Sequence, residues 1–142
     1  GEAMACSYWL VKSEPGTYAW AQLVADGGTV WDGVRNPLAR QHLAAMRRGD
    51  LVLYYHSNVG KEVVGIARVA REAHPDPKDP KWLAVDVEPV KPLATPVSLA
   101  AIKADAKLAG LALIRQSRLS VMPVAKEHFE RILALGGTKA PR

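Results

Sequence analysis

The chain has 142 residues, 49% of them apolar and 23% charged, which is typical of one globular domain. Its longest apolar runs are about six residues, too short for a helix that spans a bilayer of ~30 Å. The single cysteine, Cys6, excludes an internal disulfide and a multi-cysteine zinc site. We therefore expect a soluble, single-domain, intracellular protein without a membrane segment or a metal site.

The net charge of +5 is unevenly distributed. Residues 35–48 contain four arginines and no acid, and residues 91–142 carry a net charge of +6. Two basic blocks separated by more acidic stretches are compatible with a surface that binds a polyanion. Solvated helix faces explain the same pattern equally well.

Apolar periodicity and turn residues predict short strands with helices at intervals. The predicted strands are 8–12, 29–31, 51–56, 63–69, 82–90 and 116–121. The predicted helices are 17–23, capped by Thr17, then 37–48 and 124–135, with helical turns over 99–103 and 106–109. Asn36 before Pro37 is the clearest helix start.

Prolines indicate a further loop and the end of a strand. Three prolines within 74–80 predict an exposed loop, and Pro89, Pro92 and Pro96 predict the end of the strand before them. Strands of this kind, without regular alternation with helices, favour an α+β fold with a small, strongly curved sheet or open barrel and flanking helices.

Common catalytic and cofactor patterns are missing from the sequence. It contains no Gly-x-Ser-x-Gly elbow and no Gly-rich phosphate loop. Its four histidines show no paired spacing with carboxylates that would indicate a metal site. We expect no cofactor and no catalytic residues.

Aromatic residues are instead concentrated in one part of the chain, where seven of the nine fall within residues 8–55. They alternate with hydrogen-bonding groups in the segments 12–14, 31–36 and 56–58. A nucleobase needs a flat ring to stack on and a few fixed donors and acceptors at its edge. Most of these rings are equally suited to the core, but Trp31 lies beside a polar turn just ahead of the basic helix.

Four blocks carry a resemblance to a known family: residues 8–15 (YWLVKSEP), 31–36 (WDGVRN), 49–57 (GDLVLYYHS) and 115–121 (RQSRLSV). In this order they closely resemble the EVE domain family over about residues 7–137. The resemblance implies a PUA-like fold, a mixed and strongly curved β-barrel with helices. Residues 1–6 would be a disordered leader or cloning remnant, and 138–142 a tail. Pro37 departs from the aromatic residue expected there.

The family resemblance also implies a reader of modified bases, notably methylated cytosine in DNA, with RNA as another possible partner. The related YTH domains match locally at Lys12-Ser13, Trp31 and Ser117-Arg118, whereas their second cage aromatic falls near Glu88-Pro89. A bacterial cytoplasmic location with access to the nucleoid is expected.

From these features we expect one base to stack on Trp31, with Tyr54 or Tyr55 as another wall and acidic side chains accepting from an exocyclic amino group. The predicted base-binding residues are Lys12, Ser13, Glu14, Trp31, Asp32, Asn36, Tyr54, Tyr55, His56, Ser57, Gln116 and Ser117. The predicted phosphate-binding residues are Arg35, Arg115 and Arg118, with Lys12 as a further phosphate contact.

Two alternatives belong to other functional classes. The related ASCH domains include amidohydrolases of modified nucleosides, and Lys12, Ser13, Glu14 and His56 offer the groups for such a reaction. The chain is also compatible with an interaction module that senses a small ligand.

Overall fold

The computed structural model describes residues 6–141 of the chain. The strands are β1 (Tyr8–Ser13), β2 (Thr29–Trp31), β3 (Leu51–His56), β4 (Glu62–Asp76), β5 (Asp79–Ser98) and β6 (Val121–Val124). The helices are α1 (Trp20–Asp26), α2 (Pro37–Ala45), α3 (Leu99–Ala104), α4 (Ala112–Arg115) and α5 (Lys126–Leu135), with a 3-10 turn at Ala106–Leu108. Within this part of the chain no helix is long and apolar enough to cross a membrane.

The strands form one mixed sheet in the order β2-β5-β4-β3-β1-β6. β1 and β3 are parallel, and every other neighbouring pair is antiparallel. The sheet is strongly curved, but over the described residues it does not close, because β2 and β6 remain its edges. The predicted α+β class with a curved sheet and flanking helices is confirmed.

The core lies on both faces of the central strand β3, in which Leu51 to Tyr55 are all buried. Helix α2 contributes Leu43 to this core, and α5 contributes Phe129 and Ile132. A strand covered on both faces is apolar throughout rather than alternating. This explains why both Tyr54 and Tyr55 are buried, where alternation predicts one.

Asp50 is a buried carboxylate that joins three segments at the start of β3. Its Oδ2 accepts from the Trp9 indole N–H at 2.9 Å and from the Arg47 backbone N–H at 2.9 Å, and its Oδ1 accepts from Ser7 N–H at 3.0 Å. This capture of the Arg47 N–H coincides with the early end of α2 at Ala45. The prediction that α2 extends to residue 48 is therefore wrong.

The prediction of a proline loop over 74–80 is also wrong, because β4 and β5 form one long hairpin that turns at Pro77-Lys78. Nor do Pro89, Pro92 and Pro96 end β5. On its side away from β4, β5 pairs with β2 only over Val85–Val87. Outside Val85–Val87 this side of β5 has no neighbouring strand, so a proline there, which lacks an N–H donor, costs no hydrogen bond on that side. Register shifts between β4 and β5 accommodate the prolines.

Two further predictions are corrected. Helix α1 begins at Trp20 rather than after Thr17, because the backbone N–H groups of Thr17 and Tyr18 donate to the Glu14 carbonyl in a turn. Residues 116–120 form a loop, and β6 begins only at Val121. By contrast, Asn36 caps α2 as predicted, with its Oδ1 accepting from Ala39 N–H at 3.0 Å.

The predicted leader, residues 1–6, lies outside the described residues except for Cys6, which packs against the core. In the predicted tail, the Thr138 hydroxyl accepts from Ala94 N–H at 2.8 Å. Arg142 also lies outside the described part of the chain.

Candidate functional site

A cleft opens where the parallel strands β1 and β3 end side by side, with Ser13 opposite His56. The end of β2, the loop 32–36 and the loop 116–120 complete it. Three adjoining cavities make up this cleft, and we call them the aromatic, basic and amide cavities. Ser13 and Thr17 line both of the first two, and Ser117 and Arg118 line both of the last two, so the cavities adjoin in this order.

The aromatic cavity has a volume of about 270 Å³. Its lining includes Ser13, Tyr18, Thr29, Trp31, Asp32 and Lys78. The half-buried rings of Tyr18 and Trp31 lie 6.4 Å apart at an interplanar angle of 77°. Two aromatic walls at nearly right angles, with a carboxylate beside them, suit a flat heterocycle that stacks on one ring and contacts the other with its edge.

Tyr54 fixes these walls from the interior. Its ring is fully buried, with its centroid 5.5 Å from that of Trp31 and 5.5 Å from that of Trp20. Its hydroxyl donates to the Tyr18 carbonyl at 2.7 Å, and the Ser13 hydroxyl donates to the same oxygen at 2.7 Å. Burial raises the pKa of Tyr54 to about 12, so this donor keeps its proton at neutral pH.

Gly65 makes room for this aromatic cluster. A Cβ at position 65 would lie 2.6 Å from ring carbons of Trp20, closer than real Cβ atoms come to another heavy atom. The absence of a side chain at position 65 therefore allows the Trp20 indole to approach β4 closely and to contact Tyr54.

Asp76 anchors the loop that follows Trp31. Its buried carboxylate accepts from Gly33 N–H at 2.8 Å, from the Arg35 guanidinium at 2.9 Å and from Lys78 N–H at 2.7 Å. Burial opposes ionisation, but these donors outweigh it and hold the pKa of Asp76 well below its ordinary value. Gly33 has φ +80°, a left-handed conformation that suits glycine and directs its N–H to Asp76.

The basic cavity, about 490 Å³ in volume, lies next to the aromatic one. Its lining includes Lys12, Glu14, Ser57, Asn58, Ser117 and Arg118. The Lys12 ammonium donates to the Ser117 carbonyl at 2.7 Å, and burial lowers its pKa. Arg118 is exposed and forms no ion pair with any residue between 6 and 141. It is therefore available to an anionic ligand.

The amide cavity, about 300 Å³ in volume, lies at the other end of the cleft. It is lined by Asn36, Leu38, Gln116, Ser117, Arg118 and Leu119. The start of α2 supplies the first two residues, and the loop 116–120 supplies the rest.

The structure brings most of the predicted site residues to this cleft. Those that line one of its three cavities are Lys12, Ser13, Glu14, Trp31, Asp32, Asn36, Ser57, Gln116, Ser117 and Arg118. Their convergence follows from the topology, because the parallel strands β1 and β3 end side by side and the loops 32–36 and 116–120 lie next to those ends.

Five of the predicted site residues do not line the cleft. Tyr54 stands behind Trp31, and Tyr55, only 3% exposed, follows it on the strand and belongs to the core. The Nε2 of His56 accepts from Trp20 N–H at 3.0 Å, and burial lowers the pKa of this histidine. Arg35 is bound to Asp76, and Arg115 lies at the end of α4.

Sequence reasoning missed Tyr18, Thr29 and Lys78 as cavity residues. The expected position of a second cage aromatic, Glu88-Pro89, lies within the β4–β5 ladder and lines none of the three cavities. Tyr18 provides the second aromatic wall instead. The Glu14-Pro15-Gly16 turn was the available signal, because it returns the chain toward the end of β1.

No group of three or more His, Cys, Asp or Glu side chains among residues 6–141 is arranged to hold a metal ion. The cleft offers aromatic faces, hydroxyl and amide groups, the two carboxylates of Glu14 and Asp32, and free cationic charge.

Comparison with known proteins gives this geometry a family. The model of the EVE domain matches residues 7–135. Human thymocyte nuclear protein 1 is 31% identical, over 91% of this chain and 73% of its own length. The solved structure of Rpa0253 from Rhodopseudomonas palustris is 55% identical with a TM-score of 0.89, and covers 92% of this chain and 93% of its own.

A second solved structure contains a ligand. It is the human THYN1 protein in complex with DNA that contains 5-methylcytosine. It is 30% identical, has a TM-score of 0.86 and covers 94% of this chain and 99% of its own. An ASCH protein from Zymomonas mobilis, 14% identical with a TM-score of 0.55, shares only the fold. The family match over nearly the whole described chain confirms the predicted family: this protein belongs to the EVE domain family.

Proposed function

We propose that this protein binds DNA along the cleft and takes one base, a cytosine modified at C5 such as 5-methylcytosine, into the aromatic cavity without catalysing a reaction. The observation that carries the proposal is the pair of nearly perpendicular rings, Tyr18 and Trp31, around an open cavity of about 270 Å³. The DNA-bound human relative in the same family supports it.

Trp31 is the stacking surface for the base in this proposal. Stacking on an aromatic side chain is worth about 1–3 kcal/mol per base. The base must leave its duplex stack, which costs a few kcal/mol, so the receiving ring has to be held in place beforehand. Contact with the buried Tyr54 ring gives Trp31 that support.

Asp32 supplies the edge contact that selects cytosine. A carboxylate accepts from the N4 amino group of cytosine, whereas thymine and uracil present a carbonyl there and are repelled. In the free protein Asp32 has Lys78 as counter-ion, with the ammonium 3.5 Å from its Oδ1. The Lys78 side chain is 69% exposed and so can move aside for the base. A buried methyl group adds roughly 0.8 kcal/mol.

The basic cavity receives the backbone of the same nucleotide. Arg118, which has no ion-pair partner among the described residues, and Lys12 provide positive charge beside the aromatic cavity. Phosphate contacts of this kind set the register of the strand and make the affinity depend on salt.

The two groups that an ASCH-like hydrolase would use are both engaged in hydrogen bonds within the protein, which favours binding without a reaction. The Lys12 ammonium is bound to the Ser117 carbonyl, and His56 accepts from Trp20 N–H. Incubation with N4-acetylcytidine, followed by chromatography, should yield no cytidine. Release of cytidine by the wild-type protein, but not by Lys12→Ala, would favour the hydrolase instead.

The decisive experiment compares binding of DNA oligonucleotides that differ only in one C5-methyl group. Trp31→Ala should weaken binding of the methylated strand by about fivefold or more, the equivalent of losing one stacking contact. Trp31→Phe is the matched control, because phenylalanine keeps an aromatic face at the same position and should retain most of the affinity. Unchanged affinity of Trp31→Ala, with a Tm equal to the wild type, would contradict the proposal. An RNA strand of the same sequence tests the choice of DNA.

A further inference from the structure

The amide cavity shares no lining residue with the aromatic cavity, which is proposed to hold the flipped base. It lies at the opposite end of the cleft from the aromatic cavity, and the basic cavity connects the two through Ser117 and Arg118. Along a nucleic-acid strand, a phosphate likewise connects one base to the next. The order of the three cavities therefore matches base, phosphate and neighbouring base.

Two side-chain amides supply free polar groups to this cavity. The Asn36 side-chain oxygen is occupied by the Ala39 N–H, which leaves its NH2 group as the free function. Gln116 is exposed, and its side chain has no hydrogen bond within the described residues. Two side-chain amides with free NH2 groups at one cavity suit a base edge that presents a hydrogen-bond acceptor.

Leu38 gives the same cavity an apolar wall. It lies in the first turn of α2 and is 39% exposed, one of the few large apolar side chains in the described chain that water reaches. An aliphatic side chain beside amide groups can pack on the face of a base while the amides contact its edge.

We propose that the amide cavity is a second nucleobase subsite, which takes a purine next to the flipped base on the same strand. A purine fits because adenine and guanine both present the N7 acceptor, which pyrimidines lack, to the NH2 groups of Asn36 and Gln116, and adenine also presents the N6 amino group to the Gln116 carbonyl. This inference rests on the proposed function, since the aromatic cavity must hold the first base. It adds a sequence preference that the aromatic cavity alone does not have.

Dinucleotides test this subsite without a duplex. The probes pair 5-methyldeoxycytidine with each of the four bases, on its 5′ side in one set and on its 3′ side in the other, and 5-methyl-dCMP alone is the reference. In one of the two orders, the wild-type protein should bind purine-containing probes about fivefold or more tighter than pyrimidine-containing ones. The other order should show no such preference.

Variants then locate the preference. Gln116→Ala and Leu38→Ala change exposed side chains and should bring the purine-to-pyrimidine affinity ratio close to one. Gln41→Ala, an exposed amide on α2 outside the cleft, should keep the wild-type ratio.

Each outcome has a distinct meaning. Equal binding of purine and pyrimidine probes by the wild type, in both orders, overturns the second subsite but leaves the proposed function intact. A purine preference that survives both Gln116→Ala and Leu38→Ala overturns its location. If 5-methyl-dCMP binds no better than dCMP and no dinucleotide binds, the proposed function fails together with this inference.

Discussion

The aromatic and basic cavities are built in different ways. The walls of the aromatic cavity continue into the core, since Trp31 and Tyr18 both rest on interactions with the fully buried Tyr54. The walls of the basic cavity come from the end of β1 and the turn after it, the 57–60 turn and the loop 116–120, and none of its lining residues is buried. One cavity is part of the packed interior, and the other lies on the surface.

This difference matches the two tasks of a base reader. Selection of one base by its shape needs walls that do not move, and close packing provides them. Attraction of a phosphate backbone needs only accessible charge, because Coulomb forces act over several ångströms and tolerate small displacements. We therefore expect changes under the aromatic cavity to affect stability and selectivity together, and changes at the basic cavity to affect affinity alone.

The largest effect is expected from Gly65→Ala, which disturbs the support of the aromatic cavity from behind. The new Cβ would meet the Trp20 ring at 2.6 Å and displace it from Tyr54. Overpacking of this kind costs about 1–3 kcal/mol of the free energy of unfolding. Urea denaturation measures this loss, and the preference for methylated DNA should fall with it.

Gly110→Ala is the matched control. A Cβ there comes no nearer than 3.8 Å to His128, an ordinary contact, and the backbone needs no positive φ. We expect little change in stability. If Gly65→Ala behaved like Gly110→Ala, the aromatic cluster would be more adaptable than its packing indicates.

The next effect concerns Asp76, which anchors the loop between Trp31 and Asn36. Because the folded protein holds the pKa of Asp76 below its unfolded value, the unfolded state binds the proton first as the pH falls. The stability from this carboxylate is thus complete above about pH 4 and is lost progressively below it. Asp76→Asn should lower the free energy of unfolding at pH 7 by about 2 kcal/mol, since it weakens hydrogen bonds to a charged acceptor.

Urea denaturation at several pH values checks this prediction. The wild type should lose stability between pH 4 and pH 2 faster than Asp76→Asn, so that the two curves approach each other in acid. Asp79→Asn, in the same hairpin, is the control because Asp79 receives only a backbone N–H at 3.2 Å. Parallel curves for the wild type and Asp76→Asn would show that this carboxylate does not stabilise the loop.

Local signals in the sequence predict the start of the fold well. The apolar runs of β1 and β3 and the Asn36-Pro37 cap depend on neighbouring residues, and the structure confirms all three. The β4–β5 hairpin was missed because its prolines lie where one side of the strand has no neighbouring strand. The extent of those stretches depends on where β2 and β3 end. Proline statistics alone do not contain that information.

The candidate site divides in the same way. Residues at strand ends, such as Ser13 and Ser57, were predicted because the family blocks cover them. The role of Asp76 depends on Gly33 and Arg35, 43 and 41 residues away, so no local pattern reveals it. Arg35 looks like a free cation in the sequence for the same reason, although its charge is bound to Asp76.

The smallest effect is expected at the basic cavity, from Arg118→Gln. Its guanidinium has no ion-pair partner among the described residues, so its loss should leave the Tm unchanged. Each phosphate contact adds about 0.7–0.9 to the slope of log affinity against log salt, and the variant should reduce that slope by about one. Titrations of methylated and unmethylated DNA at several salt concentrations measure it. Both DNAs should lose affinity by the same factor, because a phosphate contact carries no information about the base.

The control is Arg71→Gln. Arg71 is an exposed arginine that lines none of the three cavities, so this variant should keep the wild-type slope. If Arg118→Gln instead reduced the preference for the methylated base, Arg118 would take part in selecting the base. The division of tasks between the aromatic and basic cavities would then be wrong.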